Sequence, residues 1–174
     1  IEAIAAGKPK KVFVMIGTND LGTAGINTTA HVLQNVTLMV ERFQAVSPET
    51  ELYVQSILPS NKRDMELQQA TNMALKALCA EKKITYIDLW DDLLGVATNS
   101  GGLSFDNLHL TADAYKIWCD KVAPYVKDNP AATSVYTDAA QQSGGLGGSY
   151  GMRTTVFSKL PVDGDDILII GDEM

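Results

Sequence analysis

Nothing in this chain is long and apolar enough to read as a membrane span. Its longest hydrophobic runs are strand-sized, far below the roughly 18 unbroken apolar residues that a bilayer requires. Positive charge is scarce as well. With 14 Lys and Arg against 21 Asp and Glu the formal charge is −7, and no basic run is longer than Lys10-Lys11 or Lys82-Lys83. A phosphate backbone finds little to bind on such a surface, so nucleic acid is excluded as an expected partner. Cysteine is limited to Cys79 and Cys119. Each falls in an apolar helical pattern, outside any CxxC or Cys/His spacing, so two buried free thiols are expected and a zinc site is not. A secretory leader is not among these residues. Ile1 to Lys11, with Gly7 and Pro9, reads as the end of a helix and a turn, so the natural start is expected upstream of Ile1.

What the chain does have is enough apolar residue, 45% of 174, to build one domain with a core. Lys11–Ile16 is a short continuous apolar run that stops at Gly17, as a strand buried on both faces would. Thr29–Val46 follows with Val32, Leu33, Val36, Met39, Val40 and Phe43 at helical spacing, ending before Pro48. Glu51–Ile57 reads as the next strand, Asn61–Glu81 as a helix, Ile84–Leu89 as a third strand, and Thr111–Val126 as a helix capped by Thr111. Strands alternating with helices imply βαβ units, a parallel sheet and helices on both of its faces. Three strands before residue 130 make a thin sheet. Beyond them Ser143–Ser149 is glycine-rich and linker-like, and Asp166–Gly171 looks like a fourth buried strand. The glycines follow no strand and open no helix, so they do not read as a nucleotide loop. Asp163-Gly164-Asp165-Asp166 lacks the spacing of a calcium loop.

Ligands of open parallel sheets bind beyond the carboxyl ends of the strands. Gly17-Thr18-Asn19-Asp20 stands at such an end. Gly17 permits a tight exit. Asn19 either presents a neutral amide donor to a developing oxyanion or, with Asp20, shapes a turn. Asp106-Asn107-Leu108-His109 precedes the last helix. A carboxylate three residues before a histidine can hold its tautomer and leave the other ring nitrogen as a general base. The same pair also occurs as a structural contact or as two metal ligands. His31, the other histidine, begins an amphipathic helix and reads as a solvated surface residue.

Taken together, Gly17-Thr18-Asn19-Asp20 after a hydrophobic strand and Asp106-x-x-His109 before the last helix resemble the third and fifth conserved blocks of the SGNH/GDSL hydrolases. Lys8–Phe13, Ser56–Pro59 and Asp106–Thr111 are similar to the branch akin to platelet-activating-factor acetylhydrolases and acyl-carbohydrate esterases. The resemblance runs in register over residues 1–127. It implies a three-layer α/β/α fold with a flavodoxin-like parallel sheet, and ester hydrolysis without a metal or other cofactor. It also implies His109 as base, Asp106 as its orienting partner, Asn19 as oxyanion donor, and a small ester or acylated carbohydrate as substrate. For the whole protein an extracytoplasmic setting, periplasmic or secreted, is expected.

The family's first block, a strand followed by Gly-Asp-Ser with the serine as nucleophile, should precede residue 1. In this chain its counterpart comes last, as Gly171-Asp172 after Asp166–Ile170, with Glu173 where the serine belongs. The expected organisation is therefore residues 1–130 as the C-terminal part of one such domain, 131–149 as linker, and 150–174 as a helix and strand resembling block one. That last segment either completes the same sheet, as in a permuted chain, or begins a second domain. Strand exchange with a second copy is a further arrangement this order allows. A carboxylate at position 173 cannot form the usual acyl-enzyme. A non-catalytic carbohydrate-binding or interaction domain is thus the alternative to the hydrolase.

Overall fold

The structure, a computed structural model, describes residues 7–126 and 167–171. Four strands, β1 (Lys11–Met15), β2 (Glu51–Gln55), β3 (Thr85–Ile87) and β4 (Ile167–Gly171), form one parallel sheet in the order β3-β2-β1-β4. Among the described residues three α-helices accompany it: α1 (Thr29–Val46), α2 (Met65–Lys82) and α3 (Ala112–Val126). Because side chains alternate along a strand, β1 feeds two cores. Val12 and Val14 join Leu52 and Val54 against Val32, Val36 and Phe43 of α1 and Leu75 and Cys79 of α2. Phe13 and Met15 join Tyr53 and Ile87 against Trp118, Val122 and Val126 of α3. The sheet is therefore the middle of three layers. β1 and β2 are apolar on both faces because helices cover both. Phe13 stacks on Tyr53 with ring centroids 4.6 Å apart, and the Trp118 indole donates to Gln55 Oε1 at 2.6 Å.

Several element ends differ from those expected, each for a hydrogen-bonding reason. The second strand was expected to reach Ile57 and stops at Gln55. Asn72 takes both backbone groups of Ile57, accepting from its N–H at 2.8 Å and donating to its carbonyl at 2.9 Å. The third strand is shortened to Thr85–Ile87, and the Leu89 amide donates sideways to Ser56 Oγ at 2.9 Å. Helix α2 begins at Met65 rather than Asn61, because Asp64 accepts from the Glu66 and Leu67 amides and caps it. Thr111 stands where a cap was expected, its Oγ1 3.5 Å from the Ala114 amide. Ser100–Gly102 forms a 3-10 turn before the Asp106 loop.

Cys79 and Cys119 are buried, as expected, and burial pushes the Cys79 thiol up to about 11. None of the described helices is long and apolar enough to cross a membrane. The tail strand expected over Asp166–Gly171 is present as β4 and pairs with β1, Lys11 opposite Ile167 and Met15 opposite Gly171. The glycine-rich stretch, the expected helix before β4, and Asp172 and Glu173 lie outside the described residues.

Replacing Asn72 by Ala would strand the N–H and the carbonyl of Ile57, a residue with 0% exposure. An unpaired buried polar group costs about 1–3 kcal/mol. The variant should lose about 2–3 kcal/mol in urea unfolding, through a lower midpoint at unchanged slope. A loss within error of zero would show that Asn72 does not hold this loop.

Candidate active site

At the carboxyl end of β1 the chain turns through Gly17 at φ 115°. A side chain there would be strained by that angle, and its Cβ would lie 2.9 Å from Ile57 Cδ1 and 3.0 Å from Val32 Cγ1. Glycine is the residue that fits. Asn19 follows, exposed, at the head of the 3-10 turn Asp20–Gly22. Its carbonyl accepts from the Gly22 amide at 3.0 Å and from Thr23 Oγ1 at 2.8 Å. Asp20 lies 4.0 Å from His31 Nε2, which also contacts Asn35 Nδ2 at 3.0 Å. His31, expected as a solvated surface residue, stands partly exposed beside this turn.

The second constellation is a loop closed on itself. An antiparallel bridge joins Ser104 to Leu110, and the Thr111 amide donates to the Leu103 carbonyl at 3.1 Å. Inside it Asp106 Oδ1 accepts from the Leu108 amide at 3.1 Å, the His109 amide at 2.8 Å and Ser104 Oγ at 3.3 Å. Asp106 Oδ2 meets His109 Nδ1. Asn107, at φ 64°, makes the reversal that brings the ring back over the carboxylate. Partial burial alone would raise the Asp106 carboxyl, but hydrogen bonds from the His109 and Leu108 amides and the His109 ring, with that ring's charge, outweigh it and hold it at about 2. An ionised carboxylate on Nδ1 keeps the ring proton there and leaves the lone pair on Nε2. Among the described residues Nε2 has no hydrogen-bond partner. Phe105 lies nearly parallel to the imidazole at 13°, centroids 6.2 Å apart, and is 64% exposed.

A third loop, after β2, touches both. Ser60 Oγ donates to the Asn107 carbonyl at 2.5 Å, and Arg63 Nε donates to the Thr18 carbonyl at 2.9 Å. Arg63 also lies across Gly22, where a Cβ would be 2.3 Å from Nε. The sequence-expected residues thus fall in three groups. Asp106 and His109 are in direct contact. Gly17, Asn19 and Asp20 form the turn after β1, connected to the His109 loop by residues 60–63. Gly171 ends β4 beside Met15, and the positions assigned to Asp172 and Glu173 are not described. Ser60, Arg63, Ser104 and Phe105 were not anticipated. A serine next to a proline at a strand end carries no signal until its partner, distant in sequence, is known. Among the described residues no third His, Cys, Asp or Glu joins Asp106 and His109 in a set that could hold a metal ion.

Comparison with known proteins bears on the family and the fold. Residues 1–117 match the model of the GDSL-like lipase/acylhydrolase family. No curated protein matches the chain. A solved structure from Streptococcus pneumonia, provisionally identified as a platelet activating factor, is 25% identical with a TM-score of 0.58, over 68% of this chain and 60% of that one. A carbohydrate esterase family 3 protein from Talaromyces cellulolyticus is 21% identical with a TM-score of 0.60, over 71% and 59%. A Bacteroides fragilis protein provisionally identified as an acylhydrolase is 19% identical with a TM-score of 0.59, over 68% and 61%. The chain spans about three fifths of the length of these structures.

The depressed Asp106 carboxyl has a consequence for stability. A group lowered from 3.8 to about 2 on folding stabilises the fold above the unfolded value, and that contribution is lost as pH falls through the folded one. The stability difference between the wild type and Asp106→Asn should therefore be constant above about pH 5 and shrink steadily toward pH 2. A difference that does not change between pH 5 and pH 2 in urea titrations would mean the carboxylate is not held by this loop.

Proposed function

The chain belongs to the GDSL-like lipase/acylhydrolase family, and on that premise we propose that the protein it comes from hydrolyses carboxylic esters or carbohydrate O-acyl groups by Ser-His-Asp chemistry. His109 Nε2 takes the proton of a serine hydroxyl as that oxygen attacks the acyl carbonyl. The Asn19 side-chain amide receives the oxyanion, where one fixed neutral donor is worth about 10²–10³ in rate. Collapse expels the alcohol, which takes its proton from the imidazolium, and water repeats the sequence on the acyl-serine. Asp106 stays ionised throughout and stabilises the imidazolium. The serine is supplied from outside the residues of this chain. The observation that carries the proposal is the ionised Asp106 on Nδ1, pinned by two amides of its own loop. The carbohydrate esterase among the similar structures supports acylated sugars as one substrate class.

A second reading draws on β4. Its parallel pairing with β1 sets Gly171 opposite Met15 at the carboxyl edge of the sheet. By resemblance, Glu173 holds the sequence position of the family's nucleophilic serine, with a carboxylate in the serine's stead. This supports a chain whose tail completes its own sheet over one that begins a second domain. In that form the domain binds acylated glycans or a protein partner without cleaving them. Strand exchange between copies would fill the same slot.

Turnover of p-nitrophenyl acetate by the complete protein should fall at least about 10³-fold in His109→Ala. Asn19→Ala should lower kcat about 10²-fold. Equal rates in wild type and His109→Ala would remove the hydrolase. A fluorophosphonate probe should mark a serine in the complete protein and leave residues 1–174 unmarked. If the complete protein stays unmarked, and glycan binding survives His109→Ala, the binding reading takes its place.

A further inference from the structure

The loop after β2 carries no group expected to react, yet side chains of α2 hold it at several points. Asn72 fixes Ile57, and Gln68 donates to the Leu58 carbonyl while accepting from the Ser60 amide at 3.2 Å. Ser60, with 0% exposure, turns its hydroxyl proton onto the Asn107 carbonyl, the residue at φ 64° between Asp106 and His109. The same oxygen accepts from the Lys62 amide at 3.2 Å. The Arg63 amide closes back on the Ser60 carbonyl at 3.2 Å, and its side chain reaches the Thr18 carbonyl, one residue before Asn19. One four-residue turn therefore grips the backbone of the proposed base loop with its first residue and the backbone of the proposed oxyanion loop with its last.

Resting on the ester-hydrolase reading, we propose that Ser60 and Arg63 are positioning residues that set the separation between His109 and Asn19. Neither touches the reacting atoms. Without Ser60 the left-handed Asn107 loses a partner on its carbonyl, and the reversal that carries His109 is free to relax. Without Arg63 the Thr18 carbonyl loses its hold, and Gly22 loses the guanidinium lying over it. Gln68 and Asn72 hold the segment Ile57–Ser60 to α2, so the turn that contacts both loops is itself fixed to one helix. A base and a donor must act on one acyl group, and misplacement by about 1 Å can cost on the order of 10²-fold in rate.

The test uses the complete protein for kinetics and this chain for spectroscopy. Ser60→Ala should lower kcat about tenfold or more and leave KM within about twofold, while Ser60→Thr, which keeps the hydroxyl, retains most of the rate. Arg63→Gln, at a half-buried position, should lower kcat in the same way. The double variant should lose less than the product of the two single losses. In residues 1–174 the Nδ1–H resonance of His109 should lose exchange protection in Ser60→Ala and keep it in Ser60→Thr. Unchanged kcat in both single variants, or an Nδ1–H signal indifferent to Ser60→Ala, overturns the proposal. If His109→Ala abolishes hydrolysis and these variants do not alter it, the bridge fails while the hydrolase stands. If His109→Ala has no effect, the hydrolase fails, and the Nδ1–H signal alone decides the bridge.

Discussion

The Asp106 carboxylate accepts from two amides of its own loop and from the ring that it orients, and the placement of His109 follows from that set of hydrogen bonds. A carboxylate that had to be steadied by a distant cation would leave the imidazole dependent on the packing of two elements. With its own backbone as donor, the loop carries the geometry in six residues between Ser104 and His109. Charge-assisted hydrogen bonds of this kind are roughly twice as strong as neutral ones. They keep the carboxyl ionised at any pH where an imidazole can exchange a proton. The proposed base is thus ready without any conformational step of its own, and what remains to be fixed is where the loop sits relative to the sheet.

That position comes from buried polar side chains rather than from apolar packing. Ser56, Asn72, Gln68 and Ser60 are all buried, and each satisfies a backbone group that a strand or helix would otherwise pair. A loop of irregular backbone is affordable in the interior only under this condition. The consequence is stiffness. Each side chain ends on a particular N–H or carbonyl, so the segment from Ser56 to Arg63 has one hydrogen-bonded arrangement, where hydrophobic contact alone would tolerate several.

How much of this was legible in the sequence depends on the range of the interaction that decides it. The buried strands showed as apolar runs because both faces of β1 and β2 are covered, and α1 showed at its full length because its apolar stripe and Pro48 mark both properties locally. Asp106 and His109 were legible because their contact spans three residues. The ends of β2, β3 and α2 were misjudged where side chains far away in sequence intercept the backbone: Asn72 on Ile57, Ser56 on Leu89. Ser60 and Arg63 were invisible for the same reason in its strongest form. Their partners, Asn107 and Thr18, lie 47 and 45 residues away, and neither partner uses a side chain that a motif could record.

The order β3-β2-β1-β4 carries the last step. In a parallel sheet, every strand exits at the same edge, so any strand beside β1 delivers its following residues to the neighbourhood of Asn19, whichever part of the chain it comes from. The ladder itself does not discriminate: backbone pairing with β1 from Lys11 to Met15 asks only for an extended apolar segment. What discriminates is chemistry at the exit. A segment ending in Gly-Asp-Ser would offer His109 a hydroxyl to deprotonate; one ending in Gly-Asp-Glu offers a group already without its proton, and places negative charge where an oxyanion would have to form. On the proposed reading, the same scaffold of sheet, base loop and bridging turn would serve hydrolysis or binding according to one side chain, and the proposed activity of the complete protein turns on which strand stands next to β1.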